Sequence, residues 1–293
     1  MNPAATNAWL SAGKFFEHRG HRIFWRKGGA HDAPVLLLIH GFPTSSWDWE
    51  ALWPELAQRY RVVTLDMIGF GFSDKPRRYD YSILDQADIH EALLRHCNVR
   101  AYHILAHDYG DTVAQELLAR NLEPGQRPQL ESVCFLNGGL FPETHRPVLV
   151  QKLLLSALGP LIARLTSKQT VARSMAGIFG PQTQPSAAVI DAFWQLMALH
   201  DSTKILPQLI RYIPERRLRR ARWVGALQQA RVPLKLIDGL HDPISGARMV
   251  QRYRELIAAS DITELPHIGH YPQVEAPASV LAAYLEFRQK LLR

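Results

Sequence analysis

The segment Leu105-Ala106-His107-Asp108-Tyr109-Gly110-Asp111 sets a carboxylate between an apolar run and a helical one. Small residues two before and two after a central side chain permit a tight strand-to-helix turn that lifts that side chain above a sheet. Ala106 and Gly110 are those small residues, and Asp108 stands between them. The partial positive charge at a helix N-terminus also favours a carboxylate there. Taken alone, Asp108 reads as a helix cap and Gly110 as a turn residue, so the chemical reading depends on partners elsewhere. His40-Gly41-Phe42-Pro43 fits a loop that turns a backbone N–H toward the carboxylate, and the N–H groups of Phe42 and Tyr109 are expected to form an oxyanion hole. Asp242, in Gly239-Leu240-His241-Asp242-Pro243, and His270, in Ile268-Gly269-His270-Tyr271-Pro272, complete the set. Nucleophile, acid and histidine in that chain order are what this kind of turn requires, and three hits in order read as catalytic rather than structural. His267 is the poorer histidine, because it adjoins Pro266 rather than the Gly269 turn.

Each of these groups needs a strand end to hold it. Val35 to Ile39 (VLLLI) is a continuous apolar run of the kind buried on both faces of a parallel sheet. Tyr60 to Leu65, Tyr102 to Ala106, Glu131 to Leu136, Val232 to Ile237 and Ile262 to Leu265 read as further strands. Phe15 to Arg19 and Arg22 to Arg26 read as a hairpin through Gly20. Helices are predicted from Ser45 or Ser46 through Leu56, over Ile83 to Cys97, Gly110 to Arg120, Ala247 to Ala258 and Pro277 to Leu292. Strands alternating with helices at this spacing imply a doubly wound, mostly parallel α/β sheet. The alternation stops near Gly138 and resumes at Val232, and the segment between is helical and rich in Leu, Ala and Arg. The predicted organisation is a core over 1–138 and 222–293 with a helical cap over 139–221, inserted after the sixth strand, where it can roof a site at the strand ends.

Composition excludes several classes. A chain of 293 residues with 47% hydrophobic and 21% charged residues is long enough for a sizeable core and is neither disordered nor collagenous. Two cysteines cannot make a disulfide scaffold and point to a reducing compartment or indifference to redox. The net charge of +7 invites a nucleic-acid reading. Much of the excess is crowded into Arg211 to Arg222, without zinc-finger or RNP-type patterning, so a solvated helix face or cap rim is expected instead. Met1 to Phe16 does not read as an export signal. A cytoplasmic protein is expected. Val148 to Leu165 is the most lipid-like stretch, but Gln151, Lys152, Ser156, Pro160 and Arg164 interrupt it, so a packed amphipathic helix pair is favoured over membrane-surface contact. His90-Glu91 lacks a second histidine at metal-ligand spacing, and Gly69-Phe70-Gly71 is not a dinucleotide fingerprint. Neither a metal nor a cofactor is implied.

On HGFP, HDYG, the late HDP and the final GHYPQVE, the chain resembles the α/β-hydrolase superfamily, in the branch of epoxide hydrolases and haloalkane dehalogenases where aspartate replaces serine as nucleophile. A closer likeness, to the mesoderm-specific transcript group, is carried by His107 to Leu118, Asn137 to Pro147 and Arg222 to Leu227. The resemblance implies a two-step hydrolase. Asp108 would attack an electrophilic carbon of a small apolar substrate to form an ester. His270, oriented by Asp242, would then activate the water that hydrolyses it. An epoxide leaves as an alkoxide and needs a proton donor from the cap, for which Tyr212 is the candidate, with Tyr271 and Tyr109 as the other phenols near the motifs. Tyr109 stands where many members carry a halide-binding Trp, and Phe42 where a second halide donor would be sought, so both positions count against haloalkane dehalogenation. Asn137 stands where some dehalogenases place the acid, which leaves the orienting role to Asp242. The competing readings are a dehalogenase using the same triad and a noncatalytic module that binds a membrane or protein through its Arg-rich segment.

Overall fold

The computed structural model describes residues 4–258 and 260–292, so Met1 to Pro3 of the N-terminal stretch considered above lie outside the described residues. Eight strands form one sheet in the order β1-β2-β4-β3-β5-β6-β7-β8. They are β1 (Lys14–His18), β2 (His21–Gly28), β3 (Val35–Ile39), β4 (Arg61–Leu65), β5 (Ala101–His107), β6 (Gln129–Leu136), β7 (Leu234–Gly239) and β8 (Asp261–Leu265). The β1–β2 and β2–β4 pairings are antiparallel, and every later pairing is parallel. The expected hairpin is present, but Arg19 has a φ of 50° and belongs to the turn rather than the strand.

The strands in the middle of the sheet are parallel and can be buried on both faces, whereas β8, also parallel, lies at an edge and is half-buried. All of β3 is buried, and each such aliphatic side chain contributes about 1.5–3 kcal/mol relative to exposure. Ahead of the sheet runs α1 (Ala4–Ser11), which the sequence reading did not foresee. A single helix from Ser45 to Leu56 does not form. Ser45 does cap, but it caps a one-turn 3₁₀ segment at Ser46–Trp49, and α2 (Trp53–Ala57) then starts afresh with Pro54 in its first turn. Proline lacks the N–H that a continuous helix would use. Next come α3 (Ile83–His96), with Ser82 accepting from the Asp85 N–H at 3.2 Å, and α4 (Tyr109–Asn121).

Between β6 and β7 the chain is helical: α5 (Leu149–Leu155), α6 (Gly159–Leu165), α7 (Lys168–Ala176), α8 (Ala187–Ala198), α9 (Leu206–Leu209), α10 (Tyr212–Leu218) and α11 (Arg220–Gln228). The last of these packs on the core, where Trp223 and Arg222 both donate to the Glu116 carboxylate of α4, at 2.9 and 2.7 Å. The chain closes with α12 (Ala247–Leu256), α13 (Pro272–Glu275) and α14 (Pro277–Lys290). The seventh strand starts two residues later than expected and runs on through Asp238 and Gly239. Cys97 caps α3 and Cys134 lies in β6, both as free thiols.

Candidate active site

β5 runs straight into α4 through Asp108, whose φ of 48° and ψ of −104° are unusual for a residue with a side chain. Such backbone stores about 1–3 kcal/mol of strain and persists only where its surroundings enforce it. The enforcement is visible at Gly110, where an added Cβ would lie 2.5 Å from the Ile39 carbonyl oxygen and 2.7 Å from that of His40. Only glycine lets α4 come this close to the end of β3. Gly41 is under the same constraint from the other side, since a Cβ there would lie 2.5 Å from His107 Nδ1. The Phe42 N–H consequently reaches Asp108 Oδ2 at 3.2 Å. Tyr109 is the first residue of α4, so its N–H is one of those a helix start leaves without an intrahelical acceptor. His40 fixes the loop: its Nδ1–H donates to the Gly41 carbonyl at 2.9 Å, and its Nε2 accepts from the Met67 N–H at 3.0 Å. Burial lowers its pKa to about 3, which keeps the ring neutral as that pairing needs.

His270 and Asp242 meet beyond β7 and β8. His270 Nδ1 lies 2.7 Å from Asp242 Oδ2, and its Nε2 lies 4.0 Å from Asp108 Oδ2. Asp242 is held from several sides, by the Ile244 N–H at 2.7 Å, the Ser245 hydroxyl at 2.7 Å and the Asn137 amide at 3.1 Å. Asn137, the amide where a carboxylate was considered, therefore supports the acid rather than replacing it. Burial opposes ionisation of Asp242, but His270 and these donors bring its pKa below the usual carboxylate range. Burial likewise opposes the imidazolium, yet the Asp242 carboxylate, and secondarily Asp108, raise the His270 pKa to about 9. Asp238, a second carboxylate near the end of β7, is buried with both oxygens lacking a partner, and burial pushes its pKa well up. His267 is exposed.

The cap reaches down to this core at α10. Tyr212 is 1% exposed, its ring 4.7 Å from that of Tyr109 and 5.9 Å from that of Phe42, and its hydroxyl has no protein partner. Burial, then the nearby Asp108 charge, raise its pKa and keep the phenol protonated. Tyr271, by contrast, donates to the Phe42 carbonyl at 3.2 Å.

Arg216 corrects the expectation of a solvated rim. It is 2% exposed, donates through Nε to Thr112 Oγ1 at 2.6 Å and through Nη2 to the Asp108 carbonyl at 2.9 Å, and sets Nη2 3.6 Å from Asp108 Oδ1. Its neighbours Arg219, Arg220 and Arg222 pair with Glu215, Glu143 and Glu116. The sequence carried one signal for it: Tyr212 and Arg216 are spaced i, i+4 and share a helix face. His145 was also missed. It is buried beside Gly139 with both ring nitrogens unpartnered, and burial reinforced by Arg216 lowers its pKa to about 4. Glu275 was missed as well, although it gathers the Gly180, Gly269 and Tyr271 N–H groups at 2.8–2.9 Å and so ties the His270 loop to the cap.

Above the site lies an apolar cavity of about 110 Å³, bounded by Phe42 and His270 from the core and by Val150, Leu154, Val171 and Met175 from the cap. A carboxylate in a strained turn, backed by an N–H donor and facing a histidine–aspartate pair, can attack an electrophile and have the product hydrolysed in place.

Residues 34–277 match the α/β hydrolase fold family. The human mesoderm-specific transcript homolog protein is 44% identical over 293 residues, spanning 97% of this chain and 88% of that protein. Among solved structures, a haloalkane dehalogenase loop variant from Bradyrhizobium elkanii superposes with a TM-score of 0.77 at 23% identity, covering 96% of this chain and 98% of its own. The epoxide hydrolase CorEH superposes with a TM-score of 0.77 at 19% identity, covering 95% and 99%. At those identities the two structures speak for the fold, while the family match and the relative spanning nearly the whole sequence place this chain among the hydrolases of the α/β-hydrolase superfamily.

Proposed function

We propose that this protein is an epoxide hydrolase-like enzyme working through an aspartyl ester, with Asp108 as nucleophile, His270 as base and Asp242 as orienting acid. The observation that carries the reading is the placement of His270: bonded through Nδ1 to Asp242, with Nε2 4.0 Å from Asp108 Oδ2, too far for a direct hydrogen bond. That arrangement suits a base acting on water. A nucleophile that is already a carboxylate has no proton to give up.

In the first step an Asp108 oxygen attacks a ring carbon, the carbon–oxygen bond of the epoxide breaks, and the departing oxygen takes the Tyr212 phenolic proton. The protein then holds a hydroxyalkyl ester and a phenolate. In the second step water attacks the ester carbonyl carbon while His270 removes its proton, and the Phe42 and Tyr109 N–H groups hold the oxyanion. Collapse expels the second hydroxyl of the diol, restores the Asp108 carboxylate, and returns the proton from His270 to Tyr212 through solvent. The cap side chains of the apolar cavity favour a small apolar substrate.

One observation favours a halide leaving group instead. Arg216 brings a buried cation to 3.6 Å from Asp108 Oδ1, where it could stabilise a departing anion without any proton transfer. Intact-mass measurement of His270→Gln after exposure to mixed epoxides and haloalkanes tests the proposal. Blocking the second step should trap an adduct on Asp108 whose mass identifies the alkyl group. An adduct from haloalkanes only would select the dehalogenase, and no adduct from any electrophile would overturn the ester mechanism.

A further inference from the structure

Cap helix α6 is built with its apolar face outward. Leu158, Leu161 and Leu165, spaced i, i+3 and i+7 and so sharing one helix face, are 55%, 53% and 63% exposed. The face turned to the protein carries Gly159 and Ala163, both buried. Leu149, at the start of the preceding helix α5, is 71% exposed, and Leu155 at its end is also exposed. Solvated single leucines are ordinary, but five within 17 residues on adjoining helices make a patch that calls for a partner.

Charge selects the partner. From Arg146 to Ile190 the chain has no Asp or Glu, while Arg146, Lys152, Arg164, Lys168 and Arg173 supply positive charge. Lys168 is engaged with Asp191, but among the described residues Lys152, Arg164 and Arg173 make no ion pair. Beside the leucines, a cleft of about 540 Å³ between the cap and residues 77–81 adds Arg78 and Arg211, with Asp80 as its one acid. Leucines flanked by unpaired cations match the boundary of an anionic bilayer, where acyl chains take the apolar groups and lipid phosphates take the cations. A protein partner would have to supply a large acidic rim around an apolar centre. Among the described residues no helix is long and apolar enough to cross a membrane, so the fit is to the surface.

We propose that this protein docks on anionic membrane surfaces through the outward leucine face of α5 and α6 and the cations around it. The same helices wall the apolar cavity, through Val150 and Leu154 of α5 and Thr166 at the end of α6. Docking therefore brings the cap wall of that cavity against the lipid.

Sedimentation with vesicles of phosphatidylcholine, with and without phosphatidylglycerol, tests this on the full chain. Binding is expected only with phosphatidylglycerol, and it should weaken as salt rises. Leu161→Gln/Leu165→Gln should reduce partitioning by more than about tenfold, given the transfer free energy of two leucines. Lys152→Gln and Arg164→Gln should each cost roughly fivefold. All these positions are exposed, so thermal unfolding should be nearly unchanged in every variant. Equal binding to both vesicle types, or undiminished binding by the leucine variant, would overturn the proposal. So would a dimer in sedimentation equilibrium that the leucine substitutions dissociate, because the face would then belong to a second copy. Partitioning rather than turnover is read, so the result stands independently of the reaction assigned to Asp108.

Discussion

The proposed triad of the core and the cap groups that face it differ in how their polar atoms are satisfied. In the core half, Asp242 accepts from Ile244, Ser245 and Asn137 and is bonded to His270, while Asp108 has the Phe42 N–H. In the cap half, the Tyr212 hydroxyl and Arg216 Nη1 have no protein partner, nor do the His145 nitrogens carried by the chain leaving β6 for the cap. Buried polar groups are nearly always paired, and under the proposed mechanism the unpaired cap groups beside Asp108 are the donors left for the reacting molecule. In that proposal the core fixes the geometry of attack, and the cap meets the leaving group.

Substitutions can break that division. The largest effect should come from Asp108→Asn, which keeps the shape of the side chain but removes the attacking oxygen. Turnover should fall on the order of 10⁴-fold or more, with thermal unfolding showing an intact fold. Activity within about a hundredfold of wild type, with deamidation excluded by mass, would take the nucleophile role from Asp108. Next is Asp242→Asn. The wrong tautomer of His270 would then be favoured, slowing ester hydrolysis by about 10²–10⁴ while leaving ester formation less affected. Rapid-quench kinetics should show the covalent species accumulating; slowed alkylation alone would assign Asp242 a different task.

Tyr212→Phe sharpens the cap side. If the phenol protonates the opening epoxide, single-turnover alkylation by epoxides should slow by about 10², whereas halide displacement by the same variant should hardly change. Equal rates for both enzymes on an accepted epoxide would remove Tyr212 from the mechanism and turn attention to Arg216 or Tyr271. The smallest effect is electrostatic. His270 has its pKa raised to about 9 partly by Asp108, so Asp108→Asn should lower its NMR titration midpoint. A histidine raised above its ordinary value stabilises the fold fully below about pH 6.5. That contribution is lost as pH climbs through about 9. Less of it should be lost in the Asn variant, by equilibrium unfolding across that range.

The core half was legible because its residues sit on short motifs at strand ends. Ala106, Asp108 and Gly110 announce the turn, and Asp242 and His270 each follow a strand by a few residues. The cap half was hardly legible, because only its i, i+4 spacing from Tyr212 distinguishes Arg216 from the five arginines around it. Its burial is decided by contact with Thr112 and the Asp108 carbonyl, more than 100 positions away. Tyr212 was found only through resemblance to a family whose caps supply phenols. The bond from Asn137 to Asp242 and the part played by Glu275 escaped for a related reason, since hydrogen bonding to another loop leaves no period in a sequence. The helix expected from Ser45 failed locally, at Pro54.

The way His270 is fastened bears on how such a molecule can be recombined. Its backbone N–H donates to the carbonyl of Ile178, a cap residue, at 2.8 Å, and Glu275 binds Gly180 of the cap together with Gly269 of the histidine loop. The histidine loop is therefore stitched to the cap as well as to the core. A chimera that grafts another relative's cap between β6 and β7 would cut those stitches and leave His270 without its alignment, even with Asp108, Asp242 and His270 all retained. Cap and core of this protein are interchangeable parts only if the seam at Ile178, Gly180 and Glu275 travels with the graft.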